Sequence, residues 1–193
     1  MFEMKKGKIT SIYLGMCIVL FLLAGCGAAV KEDTDANAEE TLAEATEIET
    51  EIATGLIFDL PDGFKAEADT PGFYKSGEYE EDYACIFYQE AAADDRYELL
   101  TEDTISELMQ EAYAELYGIE TEVEVKDFHR FNLDGYEAYR METEYTVKDV
   151  PLQVIEYTVI TTDKNFSVTY MQKKNAGWKA AFMQSAESLQ VRK

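Results

Sequence analysis

The chain has 193 residues, 39 acidic and 17 basic, and a formal net charge of −22. That balance argues against nucleic-acid binding, which needs clustered Lys and Arg to neutralise phosphate. A single histidine excludes a multi-histidine metal centre, and three cysteines are too few for a disulfide framework.

The chain opens with Lys5, Lys6 and Lys8, then an unbroken apolar run of 13 residues from Ile12 to Ala24. As a helix this run spans roughly 20 Å, short of the ~30 Å hydrocarbon core of a bilayer. A basic segment, a short apolar core and small residues are the parts of a secretory signal. Leu23-Ala24-Gly25-Cys26 resembles the lipobox of bacterial lipoproteins. The resemblance implies a signal peptide over residues 1–25, cleavage before Cys26 and lipidation of Cys26. The remainder would then sit at the extracytoplasmic face of the cell membrane, lipid-anchored. A transmembrane anchor running on through Val30 is the alternative. Cleavage would remove Glu3 and three lysines, leaving 14 basic and 38 acidic residues and a net charge of −24. Cys17 would leave with the signal, so Cys85 would be the one unmodified cysteine.

Residues 26–52 read as the lipidated cysteine and an acidic, disordered tether. Gly27 to Glu51 holds nine acidic residues against Lys31 and has no aromatic residue and no proline. Such a segment cannot bury enough apolar surface to offset its ordering entropy. Its 25 residues would reach about 25–30 Å as a flexible coil. Asp33, Asp35, Asn37 and Glu44 match positions 1, 3, 5 and 12 of a calcium loop. Ala38 occupies the sixth position, where the sharp turn requires Gly, so the match fails.

A single domain is expected over residues 53–193. Leu56 to Leu60 reads as a strand, Leu60-Pro61-Asp62-Gly63 as a turn, and Phe64 to Ala68 as a second strand. Asp82 to Gln89 is a further strand. Ile105, Leu108, Met109, Ala112, Tyr113, Leu116 and Tyr117 make one helical stripe. Thr104 with Glu107 reads as its capping box and Gly118 as its stop. Glu122 to Phe131 is a strand, and Asp134-Gly135 is a hairpin signal. In Tyr136 to Val147, Tyr139, Met141, Tyr145 and Val147 alternate with Arg140, Glu142 and Glu144. Val150 to Thr162 is apolar on both faces and therefore central. Asp163-Lys164-Asn165 turns the chain into Phe166, Val168 and Tyr170. A closing helix carries Trp178, Ala181, Phe182, Ser185 and Leu189 on one stripe.

Consecutive hairpins require antiparallel pairing. The expected fold class is α+β: an antiparallel meander with helices on both faces. Phe58-Asp59-Leu60-Pro61-Asp62-Gly63-Phe64, one long helix, the meander, and a last helix ending at Ser188-Leu189 resemble the PsbP/Mog1-type domain. The resemblance covers Gly55 to Val191. It implies an α/β/α sandwich in a superfamily of mostly non-catalytic binding and assembly modules, and it carries no site residues onto this chain. An NTF2/cystatin-like cone is the alternative; it opens with helices, whereas a hairpin is expected here.

The chain contains no G-x-S-x-G, H-E-x-x-H, P-loop, G-x-G-x-x-G or C-x-x-C motif. Cys85 with His129 could form a thiol dyad, but Cys85 lies in an apolar strand beside acidic Glu81 and Asp82, which disfavour a thiolate. In a regular strand His129 would share a face with Val123 and Val125. Carboxylates crowd Glu78 to Asp82 and Asp94-Asp95, where a cation site or a hydrolase pair is conceivable. Tyr74, Tyr79, Tyr83, Tyr88 and Tyr97 interleave with these acids. Tyr79, Tyr83, Tyr88, Tyr97 and His129 form the candidate ligand pocket, suited to a cationic or sugar-like ligand. The leading reading is a non-enzymatic envelope lipoprotein that binds a protein partner or small ligand, without a cofactor and without nucleic acid. A carboxylate hydrolase of the cell envelope and a cation-binding module are the alternatives.

Overall fold

The computed structural model describes residues 52–93, 100–117 and 122–193. Cys26, the signal, the tether, the calcium-loop match, Asp94-Asp95, Tyr97 and the Gly118 stop lie outside them.

Seven strands form one antiparallel sheet in the order β2-β3-β4-β8-β7-β6-β5. These are β2 (Lys65–Ala66), β3 (Phe73–Lys75), β4 (Cys85–Ala92), β5 (Val123–Leu133), β6 (Tyr136–Val147), β7 (Val150–Ile160) and β8 (Lys164–Lys173). Strands β5 to β8 are the expected meander. The return of β8 to β4 carries the opening segment onto the same sheet. Among the described residues three helices accompany it: α1 (Tyr79–Asp82), α2 (Glu102–Tyr117) and α3 (Lys179–Glu187).

Strand alternation divides the core. Ile86, Val168, Tyr170, Ile155, Tyr157 and Ala138 lie on one face beneath α3. Phe182 of α3 is 1% exposed and meets Tyr170 at 5.3 Å and Phe64 at 5.8 Å between ring centroids. The other face carries Phe87, Met171, Val154 and Tyr145, with Tyr139 and Met141 packed under Ile105, Leu108 and Met109 of α2. One helix thus covers each face, and the architecture is the expected α+β sandwich.

Several local readings change. The opening strand β1 (Gly55–Ile57) does not pair with its neighbour in sequence; it pairs with β9 (Gln190–Arg192) at the end of the chain, Leu56 opposite Val191. β9 is too short to carry a period. β2 pairs instead with β3, a strand the sequence reading lacked. Between them Gly72 takes φ +77°, and a Cβ there would stand 2.4 Å from the Tyr88 carbonyl oxygen, so only Gly fits. The Pro61 turn closes one residue late: Phe64 N–H donates to the Pro61 carbonyl at 3.1 Å. Tyr83 is not in β4; at φ 55° it caps α1 in the left-handed region. Helix α2 is capped at Thr101, three residues before the expected Thr104. Thr101 Oγ1 accepts from Thr104 N–H at 3.3 Å, and Thr104 Oγ1 accepts from Thr101 N–H at 2.8 Å. This reciprocal pair satisfies two donors at the helix start, as a capping box does.

A bulge in β5 has the largest consequence. Val125 pairs with Thr143 but Asp127 pairs with Glu142, leaving Lys126 as the extra residue. An inserted residue shifts the alternation. Val123 and Val125 therefore face α2, while Asp127, His129 and Phe131 face the α3 side. His129 does not share a face with the two valines.

Candidate functional site

Of the candidate pocket residues, the four that are described, Tyr79, Tyr83, Tyr88 and His129, do not converge. Tyr79 is buried on the α2 side, with ring centroids 6.0 Å from Phe73 and 5.9 Å from Tyr83. Tyr88 points to the opposite face, where its hydroxyl donates to Glu90 Oε1 at 3.0 Å. Burial, reinforced by that bond, pushes the Tyr88 phenol up to about 12. His129 is exposed on the sheet-edge strand β5, with Nδ1 3.2 Å from Asp127 Oδ2. Cys85 is fully buried on the α2 side of β4, and β8, β7 and β6 separate that strand from β5. The thiol and the imidazole thus form no dyad. Asp82, the innermost of the acidic run, is spent on structure. It accepts from Ala84 N–H and Trp178 Nε1, each at 2.7 Å, and from Ser76 Oγ at 3.0 Å. Among the described residues no three His, Cys, Asp or Glu side chains gather as a metal set.

Two other arrangements stand out. The first is a polar stripe inside the sheet beneath α2. Glu156 is 7% exposed and sits between Met141 and Thr169 on the neighbouring strands. Its Oε1 accepts from Tyr139 Oη at 3.1 Å and Thr158 Oγ1 at 2.9 Å. No cation faces it among the described residues, and burial raises its pKa above the ordinary carboxylate range. Thr158 continues to Ser167 at 2.8 Å. At opposite ends of this chain of bonds, the two amide atoms of Asn165, opposite Ile160, and the Thr143 hydroxyl, opposite Val154, are buried without a hydrogen-bond partner. Glu156 is the one charged residue of β7, and that was the available sequence signal.

The second is a groove of about 420 Å³ between the Pro61 turn and α3. Asp59, Leu60 and Asp62 form one wall; Trp178, Ala181 and Glu187 form the other. The walls are clamped together. Asp59 N–H donates to Ser188 Oγ at 2.7 Å, Ser185 Oγ donates to the Asp59 carbonyl, and Ser185 and Tyr170 hydroxyls lie 3.1 Å apart. Trp178 is oriented by its bond to Asp82 and by Phe64, 5.0 Å away edge-on. The sequence motif around Pro61 marked one wall, and the lone Trp of the chain marks the other.

A charged network braces α3 from the sheet. Glu142 accepts from Arg140 at 2.9 Å, Gln153 at 3.1 Å and Lys179 at 2.5 Å. Gln153 in turn accepts from Gln172 at 2.7 Å, and Gln172 accepts from Trp178 N–H at 2.7 Å. Arg140 also pairs with Asp127. Helix and sheet are therefore fixed relative to one another on both sides of Trp178.

No family model matches the chain, and no curated protein matches it. Among solved structures it is similar to cyanobacterial PsbP (CyanoP) from Synechocystis sp. PCC 6803. That match has a TM-score of 0.52 and 14% identity, over 75% of this chain and 96% of that one. It is also similar to LpqN, involved in cell envelope biogenesis of Mycobacterium tuberculosis, with a TM-score of 0.43, 12% identity, and coverage of 72% of this chain and 83% of LpqN. A Pseudomonas aeruginosa protein of unknown function, PA94, gives a TM-score of 0.43 and 12% identity over 72% of this chain and 99% of that one. At such identities the likeness concerns the fold alone: this is an α+β domain with a PsbP-like fold.

Proposed function

We propose that this protein is a lipid-anchored, extracytoplasmic binding module that docks a protein partner of the cell envelope and performs no chemistry. The observation that carries the reading is the groove between the Pro61 turn and α3, whose two walls are held together by hydrogen bonds before any partner arrives. A preformed surface binds without the cost of ordering itself. Leu60 is 38% exposed at its rim, and Ile52 and Ile57 in the same opening segment are 71% and 51% exposed. Among the described residues these are the large apolar side chains left in water. The lipobox at Cys26 and the acidic segment after it support anchoring with reach. The test is fractionation of cells making the full chain: the parent should sediment with membranes and Cys26→Ala should not. Equal sedimentation of both would remove the lipid anchor from the account.

A second reading has its own observation. The unpartnered side-chain amide of Asn165, buried on the α2 face of β8, suits a small uncharged ligand that supplies hydrogen bonds there. Buried polar groups ordinarily have partners. A thermal-shift screen with sugars and amides tests it; a shift kept by Asn165→Leu would place binding elsewhere.

A further inference from the structure

We infer that the α3 groove takes a cationic segment of its partner, a stretch of chain in which Lys or Arg alternates with apolar residues. This rests on the docking reading above and names the chemistry of what docks. Asp59, Asp62 and Glu187 line the groove, and among the described residues no Lys or Arg lines it. The neighbouring Lys179 is turned away, its Nζ 2.5 Å from Glu142 Oε1. Between the carboxylates lie apolar surfaces, Leu60 and Ala181, and the indole of Trp178. Acidic groups around an apolar floor complement a side chain with a long aliphatic stem and a charged head, which is the build of Lys and Arg. The indole beside them favours a cation further.

The most available competing occupant is excluded by charge. The chain's own segment from Gly27 to Glu51 ends next to β1, close enough in sequence to fold back. Its nine acidic residues against one lysine make it repel an acidic groove. The occupant must come from another molecule, of opposite charge. An overall charge of −22 would also steer such a partner toward this protein and away from others of like sign.

Trp178 is the sole tryptophan, so its emission reports on the groove directly. The experiment titrates residues 26–193, with Cys26→Ser, with a peptide of alternating lysine and leucine. A peptide of the same length alternating glutamate and leucine is the comparison. The expected result is a saturable change in Trp178 emission with the lysine peptide, weakened by added salt and absent with the glutamate peptide. Asp62 and Glu187 are exposed, so Asp62→Asn with Glu187→Gln should leave the melting temperature unchanged. Each lost charge should weaken binding about two- to five-fold, the range of an exposed ion pair. No saturable change, equal binding of both peptides, or binding unaffected by the double substitution would each overturn the inference. If the lysine peptide fails while a partner still crosslinks to the groove in cells, the cationic class falls and the docking reading stands. If both fail, the docking reading falls with it.

Discussion

Replacing Glu156 by Gln should stabilise the domain at neutral pH, by an amount that grows with pH. Glu156 is 7% exposed and receives its two hydrogen bonds on Oε1, from Tyr139 and Thr158. A Gln carbonyl accepts both, so the substitution removes the titrating group and little else. Burial raises the native pKa of Glu156, whereas in the unfolded chain it titrates near about 4.3. Below that value both states hold the proton and the wild type has its full stability. Above it the unfolded chain releases the proton and the native state keeps it. The wild type then loses about 1.4 kcal/mol per pH unit until the native pKa is passed, after which the loss levels off. Gln does not titrate, so the difference between variant and parent should rise with that slope, roughly 3–6 °C of melting temperature per unit for a domain of this size. Urea denaturation of both proteins at half-unit steps from acid to neutral pH measures it, and subtraction cancels the other acidic groups. A flat difference would refute the reasoning. A difference of opposite slope would mean that Glu156 is ionised and paired in the native state.

Three further outcomes are expected. Gly72→Ala should destabilise the fold by at least about 1–2 kcal/mol, because a left-handed residue gains a Cβ there and that Cβ stands 2.4 Å from the Tyr88 carbonyl oxygen; Gly63→Ala, whose Cβ would meet nothing within 4 Å, should cost less in the same denaturation assay. Phe182→Ala should cost about 3–5 kcal/mol, as other deletions of a buried ring do, and should change Trp178 emission, since the two rings stack at 6.4 Å; an unchanged denaturation midpoint would contradict the packing of α3. Cys26→Ala should move the chain from the membrane fraction to the soluble one, as the loss of an acyl anchor does.

The fold was legible where one period ran undisturbed. In β6 the alternation of Tyr139, Met141, Tyr145 and Val147 against Arg140 and Glu142 is seen in the sheet, and Asp134-Gly135 makes its turn with both residues at positive φ. The first turns of the α2 stripe, Ile105, Leu108 and Met109, were equally plain. What escaped were features with no period of their own. β9 spans three residues and is fixed by long-range pairing with β1. Lys126 carries no mark distinguishing a bulge from a strand residue, yet it turns His129 to the other face. The tyrosine cluster was dense along the chain but not in space. Tyr79 lies on α1 and Tyr88 in β4, and the sheet itself separates them. Proximity in sequence carries no information on which face a side chain takes once a strand intervenes. The groove was half legible: the Pro61 motif marked a turn, but nothing before the fold said that Trp178, more than a hundred residues later, would face it.

The most direct test of the docking account is site-specific photocrosslinking in intact cells. A photoreactive residue at Ala181, inside the groove, is compared with one at Glu107, exposed on α2 across the sheet. The account predicts a discrete adduct from position 181, none from 107, and loss of the adduct when Asp62→Asn and Glu187→Gln are added. No adduct at 181, or the same adduct from both positions, would contradict it.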